Sequence, residues 1–468
     1  MKPFENTLEL PGPDAIEGKR AKPRKNIRVA VLGGGASGAL VATQLLRRLG
    51  AGDEVVLVHR NSRPCLGVAY GTDDIRHRLN VRGLGMSAYP EKPSHFVDWL
   101  VDQEVGDCSQ IGEAFISRRI YGEYLQAVLD EAEFESPARL KAVKDEAVGL
   151  VRDGSCLAVS LASGSSITVS HAVLAVGHLG PRIPRFLEPI LDHSRFVLTP
   201  WSNELGSLDV TGQDVLIIGT GLTMVDAAIS LGHRIGNGRI HARSRHGLMP
   251  HPHRLGPKAP VTQVDEPVHN VRLLAKQVIE QARAAGPNWR GVVDGCRSRT
   301  GVWWQELDWH QRARFLRMLM PFWEVHRHRI DDELYAVLNQ MRIEEKFDVA
   351  AARVQAIEPN ESGFHVSMRR SNGADETLQV GLIVNCTGPE TNYENAKVPV
   401  LESVVAAGLA TYDPLGMGLS IDVHHRTSPG GNVFAIGPLC RGSLWETTAI
   451  PEIRVQAELI ARLCAGNE

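Results

Sequence analysis

Short apolar runs alternate along this chain with glycine turns and stretches of helical spacing. Residues 29–32 (VAVL) have the length of a buried parallel strand, stop at a glycine-rich turn, and are followed by helical periodicity over 39–48. Residues 54–58 (EVVLV) predict the next strand. From 63 to 100 the chain is rich in Gly, Arg and polar residues, with one long stretch lacking helical spacing, and such irregular segments are more often functional than idle. Helical spacing returns from 95 to about 130, where Phe96, Trp99, Tyr121 and Tyr124 read as core.

Three alternating runs then follow over 148–176 (VGLV, LAVSL, SITVSHAVLAV), with turns at Asp153-Gly154 and Ser163-Gly164 and a closing Gly177. The same order recurs over 352–388 as VQAIEP, FHVSMRR and LQVGLIVNCTG. Two meanders, each running into an apolar strand with a terminal glycine, predict a duplicated architecture. Between them, 214–218 (DVLII) is a strand, 225–231 begins a helix and 239–242 is the next strand. Residues 250–338 are mostly helical, clearest at 271–284 and 309–329, which is more than a strand–turn–helix unit requires and suggests an insertion shaping a substrate site. A last strand (432–437) leads to a helix from about 451 to 464, with Pro451 in its first turn and Thr447 or Thr448 as cap.

Strand, glycine turn and helix recur at 29–48 and 214–231, the first with GxGxxG at 33–38, so the fold class expected is α/β: two Rossmann-like dinucleotide-binding domains, each with a β-meander, plus a helical insertion. The expected divisions are a flexible tail (1–25), a first domain (26–205), a second (206–380) with its insertion at about 250–345, and a return to the first (381–468).

The chemistry concentrates at the joints. Gly33, Gly35 and Gly38 form GxGxxG between strand and helix: the first permits the tight turn, the second lets the backbone approach a pyrophosphate, the third lets the helix pack on the strand. Ala36 and Ser37 open the helix, whose free N–H groups and partial positive charge suit phosphates. The acid expected after the second strand to meet a ribose is replaced by His59 and Arg60. A second turn, Gly219, Thr220, Gly221, Leu222 and Thr223, has Met224 where the third glycine would stand. Arg243 and Arg245 at the end of the following strand suit a ribose 2′-phosphate and so favour NADPH over NADH.

Composition narrows the class without changing this picture. With 468 residues, 43% hydrophobic and 22% charged, the chain has the makeup of a globular protein of two or three domains. A net charge of −3 provides no basic footprint for nucleic acid or an anionic membrane, and no apolar run approaches the roughly 18 residues a membrane span needs. The N-terminus lacks the apolar core of a secretory signal, and seven scattered cysteines without a CxxC fit a reducing cytoplasm rather than a redox dithiol or zinc site. His251, His253, His326 and His328 lack the i, i+4 spacing and acidic partner of a metal site and are expected to be solvated or phosphate-facing.

Together these segments resemble the flavoproteins with two dinucleotide-binding domains: flavin-containing and N-hydroxylating monooxygenases, the disulfide reductases and, more closely, a bacterial family of FAD–NAD(P)-binding oxidoreductases. The segments that carry the resemblance are VAVLGGGASG, GVAYGT with HRLNV and MSAYP, VLIIGTGLTMVDAA, PFWEVHRHR and LWETTAIPEIRVQA. The resemblance implies FAD in the first domain and NADPH in the second. It implies that Asn80 lies near the reactive C4a edge of the flavin and that Gly437 closes the FAD site, with Pro438 in place of the acid found in disulfide reductases. It also implies a monooxygenase acting on a small amine or sulfur nucleophile through a C4a-hydroperoxyflavin. An NAD(P)H-dependent reductase or dehydrogenase, or a flavin-binding redox sensor, remains open on the same scaffold. The partner expected is a small-molecule substrate, with no nucleic acid or membrane.

Overall fold

The computed structural model describes residues 26–60, 64–201, 204–254 and 262–466. The tail over 1–25 lies outside the described residues. The apolar runs VAVL, VVLV and VLII become strands buried on both faces, as parallel sheets require. The first sheet holds β1 (Arg28–Leu32), β2 (Glu54–His59), β3 (Arg139–Lys144), β7 (His171–Leu174) and β15 (Val433–Ala435) in the order β15-β7-β1-β2-β3, all parallel. A separate antiparallel meander contains β4 (Ala147–Asp153), β5 (Cys156–Leu161) and β6 (Ser166–Val169).

The run SITVSHAVLAV is therefore two strands, broken at Ser170. Ser170 Oγ accepts the Arg28 N–H at 3.0 Å and donates to the Arg28 carbonyl at 2.8 Å, and its own N–H also donates to that carbonyl. These bonds swing the chain out of the meander and into the parallel sheet.

The second sheet repeats the plan. β8 (Phe196–Val197), β9 (Val215–Ile218), β10 (Ile240–Ser244), β11 (Phe347–Asn360), β12 (Gly363–Arg370), β13 (Asp375–Val380) and β14 (Leu382–Asn385) follow the order β13-β12-β11-β10-β9-β14-β8. β11 is long enough to serve twice. Its first residues pair in parallel with β10, and from Ala352 onward it pairs antiparallel with β12.

The expected domain boundaries at 205/206 and 380/381 both move. Phe196–Val197 pairs with β14, and β14 pairs with β9, so both strands belong to the second sheet. The chain crosses near Pro181 and recrosses near Pro389, where the two crossings bridge each other through Arg182 N–H to Gly388 O and Glu390 N–H to Gly180 O. The sequence hid this because a two-residue strand carries no periodicity and LIVN is equally suited to either sheet.

The insertion is helical: Val271–Ala284, Trp289–Gly295, Thr300–Glu306, Trp309–Met318 and Met320–Arg327. The stretch 309–329 divides because Pro321 lacks an N–H and sits where a new helix can start. Asp332–Ile343 is not part of the insertion. Its Leu334, Leu338 and Met341 pack in the core of the second domain with Val225 and Ala228, so it is the crossover from β10 to β11. The C-terminal helix Ile450–Cys464 starts after Ala449 without a side-chain cap, which corrects the expectation for Thr447 and Thr448. Among the described residues no helix is long and apolar enough to cross a membrane.

Candidate dinucleotide sites and the cleft between them

The two glycine turns are built alike. Gly33 has φ +123° and donates its N–H to Val58 O at 2.9 Å; Gly219 has φ +114° and donates to Arg243 O at 2.8 Å. A Cβ on Gly33 would lie 2.2 Å from Ala175 O, and one on Gly219 would lie 2.0 Å from Cys386 O. Each first glycine is thus pressed on the carbonyl that ends the neighbouring strand, where no side chain fits. Gly35 and Gly221 then stand as helix N-caps with no side-chain cap, so the first-turn N–H groups of Ala36–Leu46 and Leu222–Gly232 are left for a ligand.

The turns differ at the third position. A Cβ on Gly38 would sit 1.9 Å from Gly33 O, whereas Met224 occupies the corresponding place and is fully buried in the second core. They also differ in cover. Gly221 faces open space, while Gly35 faces Gly67, whose Cα would be 3.7 Å from a Gly35 Cβ. Gly67 has φ +56°, and two residues earlier the Cys65 backbone N–H donates to Gly34 O at 2.9 Å. Bare backbone faces bare backbone here, which is the surface a pyrophosphate needs. Gly67 was visible only as one glycine of LGVAYG, without a spacing rule to single it out.

Around the first turn, His59 is 7% exposed and packs where a Cβ on Gly34 would fall, 2.3 Å from His59 Cβ. It lies at the end of β2 beside the turn. Arg60 is exposed and pairs with Glu146 at 3.2 Å. Gly437 arrives from the far end of the chain with φ +69°, and a Cβ there would be 2.7 Å from Ser37 Oγ. Its N–H donates to Gln456 Oε1 at 3.0 Å, and its carbonyl accepts Thr447 Oγ1 at 3.2 Å. Gln456 Nε2 closes the ring on Thr447 at 2.6 Å, so Thr447 ties Gly437 to the last helix instead of capping it.

The second turn changes one assignment. Arg243 is 2% exposed and donates to Glu376 (2.8 and 3.3 Å) and Asp348 (2.6 Å). Its fork is closed by two carboxylates inside the sheet, so it is not placed to receive a 2′-phosphate. Arginine at an alternating strand position pointed into the sheet, and the sequence could not show which face that was. Arg245 is exposed, on a tight turn held by Thr220, whose hydroxyl is 2.9 Å from Ser244 Oγ, and by Ser244 Oγ accepting the Gly247 N–H at 3.0 Å.

Asn80 lies between the domains. It lines a cavity of about 10 Å³ with Arg118, Leu222 and Asp226, and its carbonyl accepts His253 Nε2 at 3.1 Å. Its side-chain amide has no hydrogen-bond partner among the described residues, unlike an Asn that closes its own turn. The loop that carries it is held to the second domain. His77 Nε2 is 2.8 Å from Ser230 Oγ, Ser230 donates to Asp74 at 2.6 Å, and Arg78 pairs with Asp331 and with Glu333. Asp226, on the helix of the second turn, is buried 3.7 Å from Arg118. Burial pushes its carboxyl upward against the pull of Arg118 and His77.

On the other side the insertion grips the segment before the last helix. Trp304 Nε1 donates to Gly442 O at 2.8 Å, Trp304 stacks on Trp445 at 4.8 Å, and Arg327 makes a two-pronged pair with Glu446 at 3.0 and 3.1 Å. The four histidines are not a solvated group: His251 packs on Trp289 and His326, His253 on Phe115, and His328 pairs with Glu324. No group of three or more His, Cys, Asp or Glu side chains suited to a metal occurs among the described residues.

Residues 30–179 match a family model described as FAD-NAD(P)-binding. The match falls on the domain built around the first sheet. The matched residues of that domain contain the first turn, Gly67, Asn80 and β7, but not the second turn. No curated protein matches the chain. Among solved structures, the reduced form of ornithine hydroxylase from Pseudomonas aeruginosa is similar, with TM-score 0.64, 17% identity, and 94% of this chain and 99% of that one covered. Cadaverine monooxygenase from Erwinia amylovora, bound to FAD, gives 0.64, 13%, 94% and 95%. Bacillithiol disulfide reductase from Staphylococcus aureus gives 0.57, 14%, 94% and 98%. At these identities the likeness is one of fold.

Proposed function

We propose that the protein is an FAD-dependent, NADPH-using monooxygenase that oxygenates a small nucleophile, an amine in the first instance. The observation that carries this reading is the paired turn geometry: Gly33 and Gly219 make equivalent contacts in two linked sheets, with Asn80 on the seam between them. FAD held at Gly33, Gly35, Ala36, Ser37, Gly38, His59 and Gly437 would accept hydride from the nicotinamide and activate oxygen. Gly219, Gly221, Leu222, Thr223 and Arg245 would hold NADPH, the last through its 2′-phosphate. Asn80 would present its amide to the reacting edge, and the insertion over Gly442 and Trp445 would exclude water. Ornithine hydroxylase and cadaverine monooxygenase among the similar structures support an amine substrate.

A reductase is the second reading, favoured by the similarity to bacillithiol disulfide reductase. The thiols argue against a dithiol version of it. Burial pushes Cys65 up to about 12 and Cys296 up to about 11, and raises Cys386 and Cys440 further, so these cysteines hold their protons.

The deciding experiment is oxygen uptake by the purified flavoprotein with NADPH and a panel of diamines and thioethers. Substrate-stimulated uptake with little peroxide release is the expected result. Flavin that NADPH does not bleach would remove the monooxygenase reading, and flavin that NADH does not bleach either would remove the reductase.

A further inference from the structure

The base of the insertion holds an arginine without an acidic partner among the described residues. Arg290 Nε donates to Pro252 O at 2.8 Å, and the guanidinium lies 4.5 Å over the Trp289 ring. Its two terminal nitrogens have no hydrogen-bond partner among the described residues. Arg254 and Arg329 stand close enough to repel it, adding to the effect of burial in lowering its pKa. Arg329 is 4% exposed and pairs with Asp294; the Asp332 carboxylate accepts the Arg254 backbone N–H at 2.9 and 3.1 Å. Asp294 is taken by Arg329 and Asp332 by the Arg254 backbone, so the Arg290 guanidinium has no carboxylate partner among the described residues. His251 adds no charge: burial, then His326 and Arg290, push it down to about 4, so it is neutral at physiological pH.

We propose that Arg290 and Arg254, backed by the face of Trp289, bind a small oxyanion group, carboxylate or phosphate. A planar guanidinium with free terminal N–H groups matches two oxygens of such a group, and the indole beneath it fixes its plane and shields the contact from water. An anion here relieves the repulsion among the three arginines. The site is linked to both the Asn80 seam and the second turn. His253, two residues from His251, bonds Asn80 O, and Phe322, one helical turn before His326, packs 5.8 Å from His246 beside Arg245. Two sources therefore have the required chemistry: the dinucleotide, through a phosphate, or a second ligand carrying an anionic group. The site does not depend on the reaction proposed above.

The test titrates the FAD-loaded protein with inorganic phosphate by calorimetry at constant ionic strength. Wild type, Arg290→Gln, Arg290→Lys, Arg254→Gln and Arg245→Gln are compared at matched flavin content and melting temperature. Arg290→Gln is expected to weaken phosphate roughly tenfold, with Arg290→Lys intermediate because it keeps charge but loses the fork. Arg254→Gln changes an exposed residue and provides the same readout if Arg290 variants fold poorly. NADP+ titration then separates the sources. A parallel loss of NADP+ affinity in Arg290→Gln assigns the oxyanion to the dinucleotide, and unchanged NADP+ affinity assigns it to the second ligand. Absence of saturable phosphate binding, equal binding in wild type and the Arg290 and Arg254 variants, or loss only in Arg245→Gln overturns the proposal.

Discussion

Gly437 and Ser37, from opposite ends of the chain, meet so closely that a Cβ on the glycine would stand 2.7 Å from the serine hydroxyl. The contact locks the returning strand onto the helix that opens the first turn. Gly437→Ala adds this clash to a φ of +69°, a conformation that costs an ordinary residue about 1 kcal/mol. The expected outcome is a drop in bound FAD, read as the ratio of flavin to protein absorbance after purification. Full FAD content in the variant would show that this contact does not shape the site.

Gly35 and Gly38 separate ligand binding from folding. Gly35 has ordinary backbone angles as a cap, and its Cβ would meet nothing nearer than 3.7 Å. Gly35→Ala should leave the melting temperature of the flavin-free protein unchanged while weakening FAD about tenfold, because the methyl stands where the pyrophosphate approaches. Gly38→Ala should instead destabilise the flavin-free protein by about 2 kcal/mol, since its Cβ would lie 1.9 Å from Gly33 O. Thermal melts with and without FAD check both.

Arg243 and Arg245 should behave oppositely although only one residue separates them. Arg243→Ala removes the buried cation that Asp348 and Glu376 share and should cost about 3 kcal/mol in urea unfolding. Arg245→Ala should leave unfolding unchanged and lower the preference for NADPH over NADH. Equal loss of both nucleotides would remove the 2′-phosphate role.

Stability should fall in acid through Asp348. Burial pulls its carboxyl upward, but hydrogen bonds from His241 and Arg243 and their charges outweigh it and hold the group at about 2. A carboxyl lower in the folded than in the unfolded chain stabilises above its unfolded value, about 4, and loses that contribution as pH falls toward 2. Urea midpoints should therefore drop between about pH 4 and 2, with a shallower drop in Asp348→Asn. Identical slopes would place the acid sensitivity elsewhere.

Local chemistry determined a good deal. Runs such as VAVL and DVLII are buried on both faces wherever they pair, and a glycine between strand and helix is required by sterics at Gly33 and Gly219, so two nucleotide-type turns were legible from residue order alone. The helix over 271–284 was equally legible from its spacing, and Asn270 caps it with its own side chain. Tertiary structure decided what depends on partners distant in sequence. LIVN joined the second sheet because β9 offered its free edge, Arg243 turned inward because Asp348 and Glu376 converge there, and Gly67 met Gly35 through a loop without periodicity. Asn80 came to the seam because His77 and Arg78 tie its loop to Ser230 and Asp331. Spacing along a chain reports which face a residue shares with its neighbours; which remote groups approach that face is settled only when the sheets pack.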